Sequence, residues 1–283
     1  MKRYSWHITG AVTMIKMHHP RFIWKRHLGL IVFSSLFVAI LQFLVLYIIT
    51  TLNYGAIIES FINRLPYAFQ TMFATQFFRS FSAEGAVAFG LNHPLVIALM
   101  SLNAIIIPAR HVAGEIEDGT LELMLTYPLE RWRHIMAVWF SSALQLVILI
   151  FYCWLGSLMS IAIFHELTWQ LVIGMLKIGI NLWLLFLLVS SYTLLISSFG
   201  KEGGKVGTEA AAITLIFYLV HFLSSLWDAL SFLKPFNIFY YYLPQELMYG
   251  EGSFAFNAAV LTVLISICLT TAIIQFNRRD VPG

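Results

Sequence analysis

Charge is what this chain has least of: its 283 residues carry 14 acidic and 17 basic side chains, so 11% are charged and the net charge is +3. A soluble domain has about a quarter of its residues charged, and that class is excluded. Cysteine is equally scarce. Cys153 and Cys268 lie in apolar runs without metal or redox spacing, which leaves them as packing residues and says nothing about compartment. Strict alternation is missing from the apolar runs, and with it a closed transmembrane barrel. No cleavable leader is visible, because the first apolar run begins after 27 mostly polar residues and is too long for a signal sequence. The first span is therefore expected to stay in the mature protein.

Phosphate- and metal-binding patterns are missing too. The segment Phe199 to Thr208 holds Gly200, Gly203, Gly204 and Gly207, but Lys201 precedes Glu202 and Lys205 precedes Val206. That is not the Gly-x4-Gly-Lys-Ser/Thr order that cradles phosphates, so a cytoplasmic turn is expected and no ATP hydrolysis by this chain. The histidines show no His-Glu-x-x-His order, and His18-His19 with His7 and His27 read as interfacial residues near lipid headgroups. His111 and Glu115, four apart, are expected to pair rather than to hold a metal. The small positive charge asks for no nucleic-acid partner.

What is present is apolar: 59% of residues are hydrophobic and the mean hydropathy is +0.80. Crossing a bilayer core as a helix takes about twenty such residues. Six runs qualify, near Leu28 to Leu52, Pro94 to Ala113, His134 to Ile163, Trp169 to Ser198, Glu209 to Ala229 and Phe254 to Phe276. The fold class expected is an all-α membrane protein with six transmembrane helices. Thirteen of the 17 basic residues fall on one side of that plan, in segments 1–27, 110–133, 201–205 and 278–279, which puts both termini in the cytoplasm. Segment 1–27 mixes Trp6, Ile15, Phe22 and Trp24 with basic residues, as an interfacial helix does. Residues 28–283 then form the six-span domain. Within it, 53–93 reads as an external loop of short interfacial helices. Residues 231–254, rich in Phe and Tyr and broken by Pro235, Pro244 and Gly250, read as an external re-entrant hairpin or a plain aromatic belt.

Between the second and third runs lies an acidic island, Gly114-Glu115-Ile116-Glu117-Asp118-Gly119-Thr120-Leu121-Glu122-Leu123-Met124-Leu125 and on to Pro128 and Arg131. Asp118-Gly119 reads as a turn, Leu121, Met124 and Leu125 recur at helical spacing, and Pro128 stops the helix. A solvated loop is the bland alternative. The order Glu-x-Glu-x-Gly-Thr-Leu-Glu-Leu-x-Leu-x-x-Pro-x-x-Arg resembles the signature of ABC type-2 transporter permeases, and Phe276-Asn277-Arg278-Arg279-Asp280 is similar to the ending common in that family. Ala137 and Val138 stand where a Gly-Lys pair is usual, so no charge contact is implied there. The resemblance implies an exporter subunit of the inner or plasma membrane. It would work as a pair of permease copies or homologues in the lipid bilayer, with two ABC ATP-binding subunits. ATP and magnesium would be held by that partner and no cofactor by this chain. Residues 114–133 would be the coupling loop, with Glu115, Glu117, Asp118 and Glu122 meeting the ATPase and Gly119, Thr120, Leu121, Pro128 and Arg131 completing the signature.

Polar residues inside spans are the remaining candidates. Lys177 stands about eight residues, hence roughly 12 Å, into the fourth run, where it either snorkels or lines an export route. Asn103 and Asn181 are possible path residues too, although most such amides, like Gln42, bridge helices. An intramembrane enzyme would need a nucleophile with a base at depth, and Ser190, Ser191, Ser197 and Ser198 have no histidine in the same span. A nonenzymatic scaffold or sensor also leaves the acidic island without a role.

Overall fold

The computed structural model describes the backbone of residues 4–51, 82–120, 130–164 and 167–279, with side chains from Trp24 onward in those ranges apart from Thr50 and Asp228. All regular elements among the described residues are helical. In chain order they are α1 (Tyr4–Thr51), α2 (Ala83–Leu91), α3 (Pro94–Pro108), a π-helical turn (Ala109–Ala113), α4 (Gly114–Glu117), α5 (Arg131–Phe164), α6 (Trp169–Phe199) and α7 (Gly203–Leu226). Two 3-10 helices (Asp228–Phe236 and Ile238–Tyr241), α8 (Pro244–Tyr249) and α9 (Phe254–Arg278) follow.

Among the described residues, six stretches are long and apolar enough to cross a membrane: Trp24–Ile49, Pro94–Glu117, Arg131–Phe164, Trp169–Phe199, Gly203–Leu226 and Phe254–Arg278. In lipid every backbone N–H and C=O needs a partner within the protein, and a helix supplies it locally. Helix starts follow from residues that accept a backbone bond. Ser82 Oγ takes Gly85 N, His93 Nδ1 takes Leu95 N ahead of Pro94, and Thr168 Oγ1 takes Leu171 N. The basic segment preceding the first span is not set off from it, since α1 runs unbroken from Tyr4 to Thr51.

α6 is the central post. Leu171, Ile178, Leu182, Leu185, Phe186 and Leu194 are buried on all its sides. α1 packs most extensively along α5, and α9 along α6. Gly156 makes the α1–α5 approach possible: a Cβ there would overlap the carbonyl oxygen of Ala39. The outer faces of α1, α7 and α9 expose Phe33, Leu215, Phe222 and Val263, a surface that lipid covers and water would not tolerate.

Opposite the acidic island, the aromatic segment packs onto the ends of the spans. Phe239, Tyr242 and Leu247 are buried there, while Phe232 and Phe236 stay exposed. Asn237 Nδ2 donates to Phe217 O at 2.6 Å, and Tyr242 donates to Leu91 O at 3.2 Å. Burial raises the Tyr242 phenol well above its ordinary pKa, so it acts as a neutral donor. The loop expected over 53–93 lies outside the described residues up to 81, and its last part is α2.

Candidate functional site

Pro108 shapes the end of the second span. Its ring removes one N–H and crowds the carbonyl four residues back, and the helix continues through the π turn, where one extra residue is accommodated. Ser197 Oγ donates to the Pro108 carbonyl at 3.2 Å, fastening this irregular stretch to α6. Beyond it, α4 is four residues long and ends in a tight turn: Asp118 N donates to Gly114 O at 2.9 Å and Gly119 N to Ile116 O at 3.2 Å. Gly119 takes φ 67°, the left-handed region that favours glycine. Thr120 Oγ1 donates to Glu115 O at 3.2 Å and closes the turn.

The acidic side chains do not all point outward. Glu115 is 4% exposed, and its Oε1 lies 2.8 Å from His111 Nδ1. Its carboxylate is turned into the protein, away from the surface where the resemblance placed a partner. Glu117 Oε2 accepts from Gly203 N at 2.8 Å, the first residue of α7. The residue before α7, Glu202, offers no side-chain cap, so a carboxylate from another element caps that helix end, where its dipole favours negative charge. The two backbones touch at this point: a Cβ on Gly203 would lie 2.9 Å from Gly114 Cα. Asp118 and Gly119 are exposed at the tip. Leu121, Glu122 and Pro128, with Leu123, Met124 and Leu125, fall outside the described residues.

Arg131 begins α5 and donates through Nη1 to the Arg279 carbonyl. Arg279 in turn donates to Ser198 O at 3.1 Å and Gly200 O at 2.7 Å, placing a cation at the carbonyl end of α6. Burial lowers the Arg279 guanidinium from its ordinary pKa, yet arginine stays charged. Together these contacts tie Pro108 to α6 and Glu117 to α7, and Arg131 at the start of α5 to the end of α9.

A groove of about 950 Å³ runs between α3, with its π turn and α4, and α7. Ile97, Ile105, Leu215 and Tyr218 line its length, and its charges, Arg110, Glu117 and Asp118, gather at the acidic end. None of the three path candidates borders it. Lys177 borders a separate cavity of about 760 Å³ with Glu84, Gln170 and Met248. Asn103 is buried in the helix core, donating to Ser34 Oγ at 3.0 Å and Leu99 O at 2.8 Å and accepting from Gln145 Nε2. Asn181 is also fully buried, and neither amide atom has a hydrogen-bond partner among the described residues. Of the histidines read as interfacial, His27 is buried, with its Nε2 3.1 Å from His111 Nε2, and the side chains of His7, His18 and His19 lie outside the described residues; His134 Nε2 donates to His111 O at 2.8 Å. Only the His111–Glu115 spacing hinted at this cluster.

A model of the family described as ABC-2 family transporter protein matches residues 23–281. No curated protein matches the chain.

Proposed function

Because the chain belongs to the ABC-2 family of transporter proteins and is a multi-pass membrane permease, we propose that it couples ATP hydrolysis by a separate ATP-binding subunit to export of a substrate. The observation that carries this reading is the wiring of the acidic turn. A segment presenting Asp118 and Gly119 at its tip is bonded through Pro108, His111 and Glu117 to α6, to α1 and α5, and to α7, and Arg131 at the start of α5 holds the end of α9. A push on such a tip is delivered to the bundle as a whole, which is what coupling to an external motor requires. The groove between α3 and α7 is open along one side and walled by one chain, so a second copy or homologue completes the route. By the charge bias of the loops, the acidic end and both termini face the cytoplasm of an inner or plasma membrane. ATP and magnesium sit on the partner, of which two copies serve two permeases.

Asp118 is the residue on which to test this, because its side chain is exposed and carries no internal bond in the turn. With the ATP-binding partner co-reconstituted, Asp118→Lys should leave complex recovery unchanged and lower ATP turnover about tenfold. An Asp118→Cys variant should cross-link to that partner. Wild-type turnover in Asp118→Lys, together with no cross-link from Asp118→Cys, refutes the assignment of this turn as the coupling contact.

A further inference from the structure

Three spanning stretches bring four titratable side chains to one buried spot behind the acidic turn. His27 of α1 and His111 of the π turn face each other through their Nε2 atoms at 3.1 Å, with the rings at 82°. His27 is 8% exposed and His111 0%. On its other side His111 Nδ1 meets Glu115 Oε1 at 2.8 Å. The second carboxylate oxygen has no hydrogen-bond partner among the described residues and lies 3.7 Å from His134 Nε2 on α5. Phe276 of α9 stacks on the His134 ring. Arg26 and Arg110, on the two helices that carry the facing histidines, supply the nearby positive charges.

Counting protons fixes what this arrangement holds. A carboxylate oxygen accepts, so His111 Nδ1 carries hydrogen toward Glu115. The contact between the two Nε2 atoms takes one hydrogen: two bare nitrogens would set lone pair against lone pair, and two N–H groups would collide. With His27 protonated at Nδ1, the two rings hold three protons and one positive charge, which neutralises the Glu115 carboxylate. A buried, uncompensated carboxylate is costly, so this protonation state is favoured.

We propose that His27, His111 and Glu115 form a binding site for a single shared proton that latches α1 to the segment carrying the acidic turn. A further proton, taken from solvent with nothing released, would occupy the second Nε2, set two N–H groups face to face between Arg26 and Arg110, and open the latch. Burial and the two arginines oppose that second proton, so acid below histidine's ordinary range of about pH 5 to 8 is the condition that opens it. Its consequence for coupling rests on the permease reading above, whereas the latch itself does not.

Solid-state NMR of the wild-type chain, labelled with nitrogen-15 at histidine and held in phosphatidylcholine vesicles, reads the contact directly. At about pH 7.5 a nitrogen–nitrogen coupling across the His27–His111 bond is expected, and below about pH 4 its loss. No coupling at the higher pH, or the same coupling at both, overturns the latch. The second measurement adds the ATP-binding partner and compares the wild type with His27→Gln, whose amide donates to His111 but takes up no second proton. From about pH 7.5 to about pH 4 the wild type should lose about twofold more ATP turnover than the variant. Identical pH profiles overturn the role in coupling. If neither protein raises the partner's turnover at neutral pH, the permease reading falls, and the NMR result still decides the latch.

Discussion

Glu117 does two jobs that its sequence neighbourhood does not separate: it belongs to the acidic turn, and its carboxylate closes the first turn of α7 through Gly203 N. Removing the acceptor and keeping it should therefore have different effects. Glu117→Ala should lower stability by about 0.5–2 kcal/mol, the usual range for a lost cap. Glu117→Gln retains an acceptor oxygen and should stay close to the wild type. Thermal unfolding in detergent separates the two, and equal melting temperatures for Ala and Gln would remove the capping role. Lys177 is the contrasting case. It borders a cavity away from the α3–α7 groove, and a long stem lets its ammonium reach headgroups. Lys177→Met should leave membrane insertion and partner-stimulated ATP turnover unchanged, and a transport defect rescued by Lys177→Arg would place the charge on the export route after all.

Helix pairing sets a stricter limit than any single side chain. At the α1–α5 crossing, even one methyl group on Gly156 would meet the Ala39 carbonyl, so Gly156→Ala must push the helices apart and Gly156→Leu must separate them over several turns. A cost of about 1–3 kcal/mol is expected for the first and loss of folded protein for the second; size-exclusion profiles and thermal unfolding of the purified variants report both. The six spans and their order were legible in the sequence, because long apolar runs leave little choice but helix in lipid. The acidic turn was legible too, through Asp118-Gly119. What the sequence concealed was convergence. His27, His111 and His134 are separated by up to 107 positions, from 27 to 134, and only packed helices bring them together. Likewise, the spacing of Glu115, Glu117 and Asp118 says nothing about which faces inward, since a π turn precedes them and shifts the phase of the helix. Asn103 and Asn181 were plausible on a path from polarity alone, yet packing draws both into the helix core.

On the proposed coupling reading the chain is a transducer whose fuel site lies on its partner: its glycine-rich segment 200–207 contributes helix contacts, with Gly203 against Gly114, and its spacing is not that of a phosphate cradle. The purified chain alone should neither hydrolyse ATP nor bind it tightly, and turnover appearing only with an ATP-binding partner is the expected result of a reconstitution series. Turnover by the isolated chain that survives removal of contaminating ATPases would overturn the permease assignment. The π turn carries a last consequence, one for heredity rather than mechanics. Each residue of an α-helix advances the chain by about 100°, so loss of a single codon from the regular helix at 95–107 would swing everything after it by that angle. Glu117 would leave Gly203, although every remaining residue kept its identity. A π turn already absorbs one residue more than an α-helix needs, so loss of one codon at 109 or 110 closes the bulge and leaves the phase beyond it unchanged, and a library of in-frame deletions across 94–118 should show its mildest loss of function at the π turn.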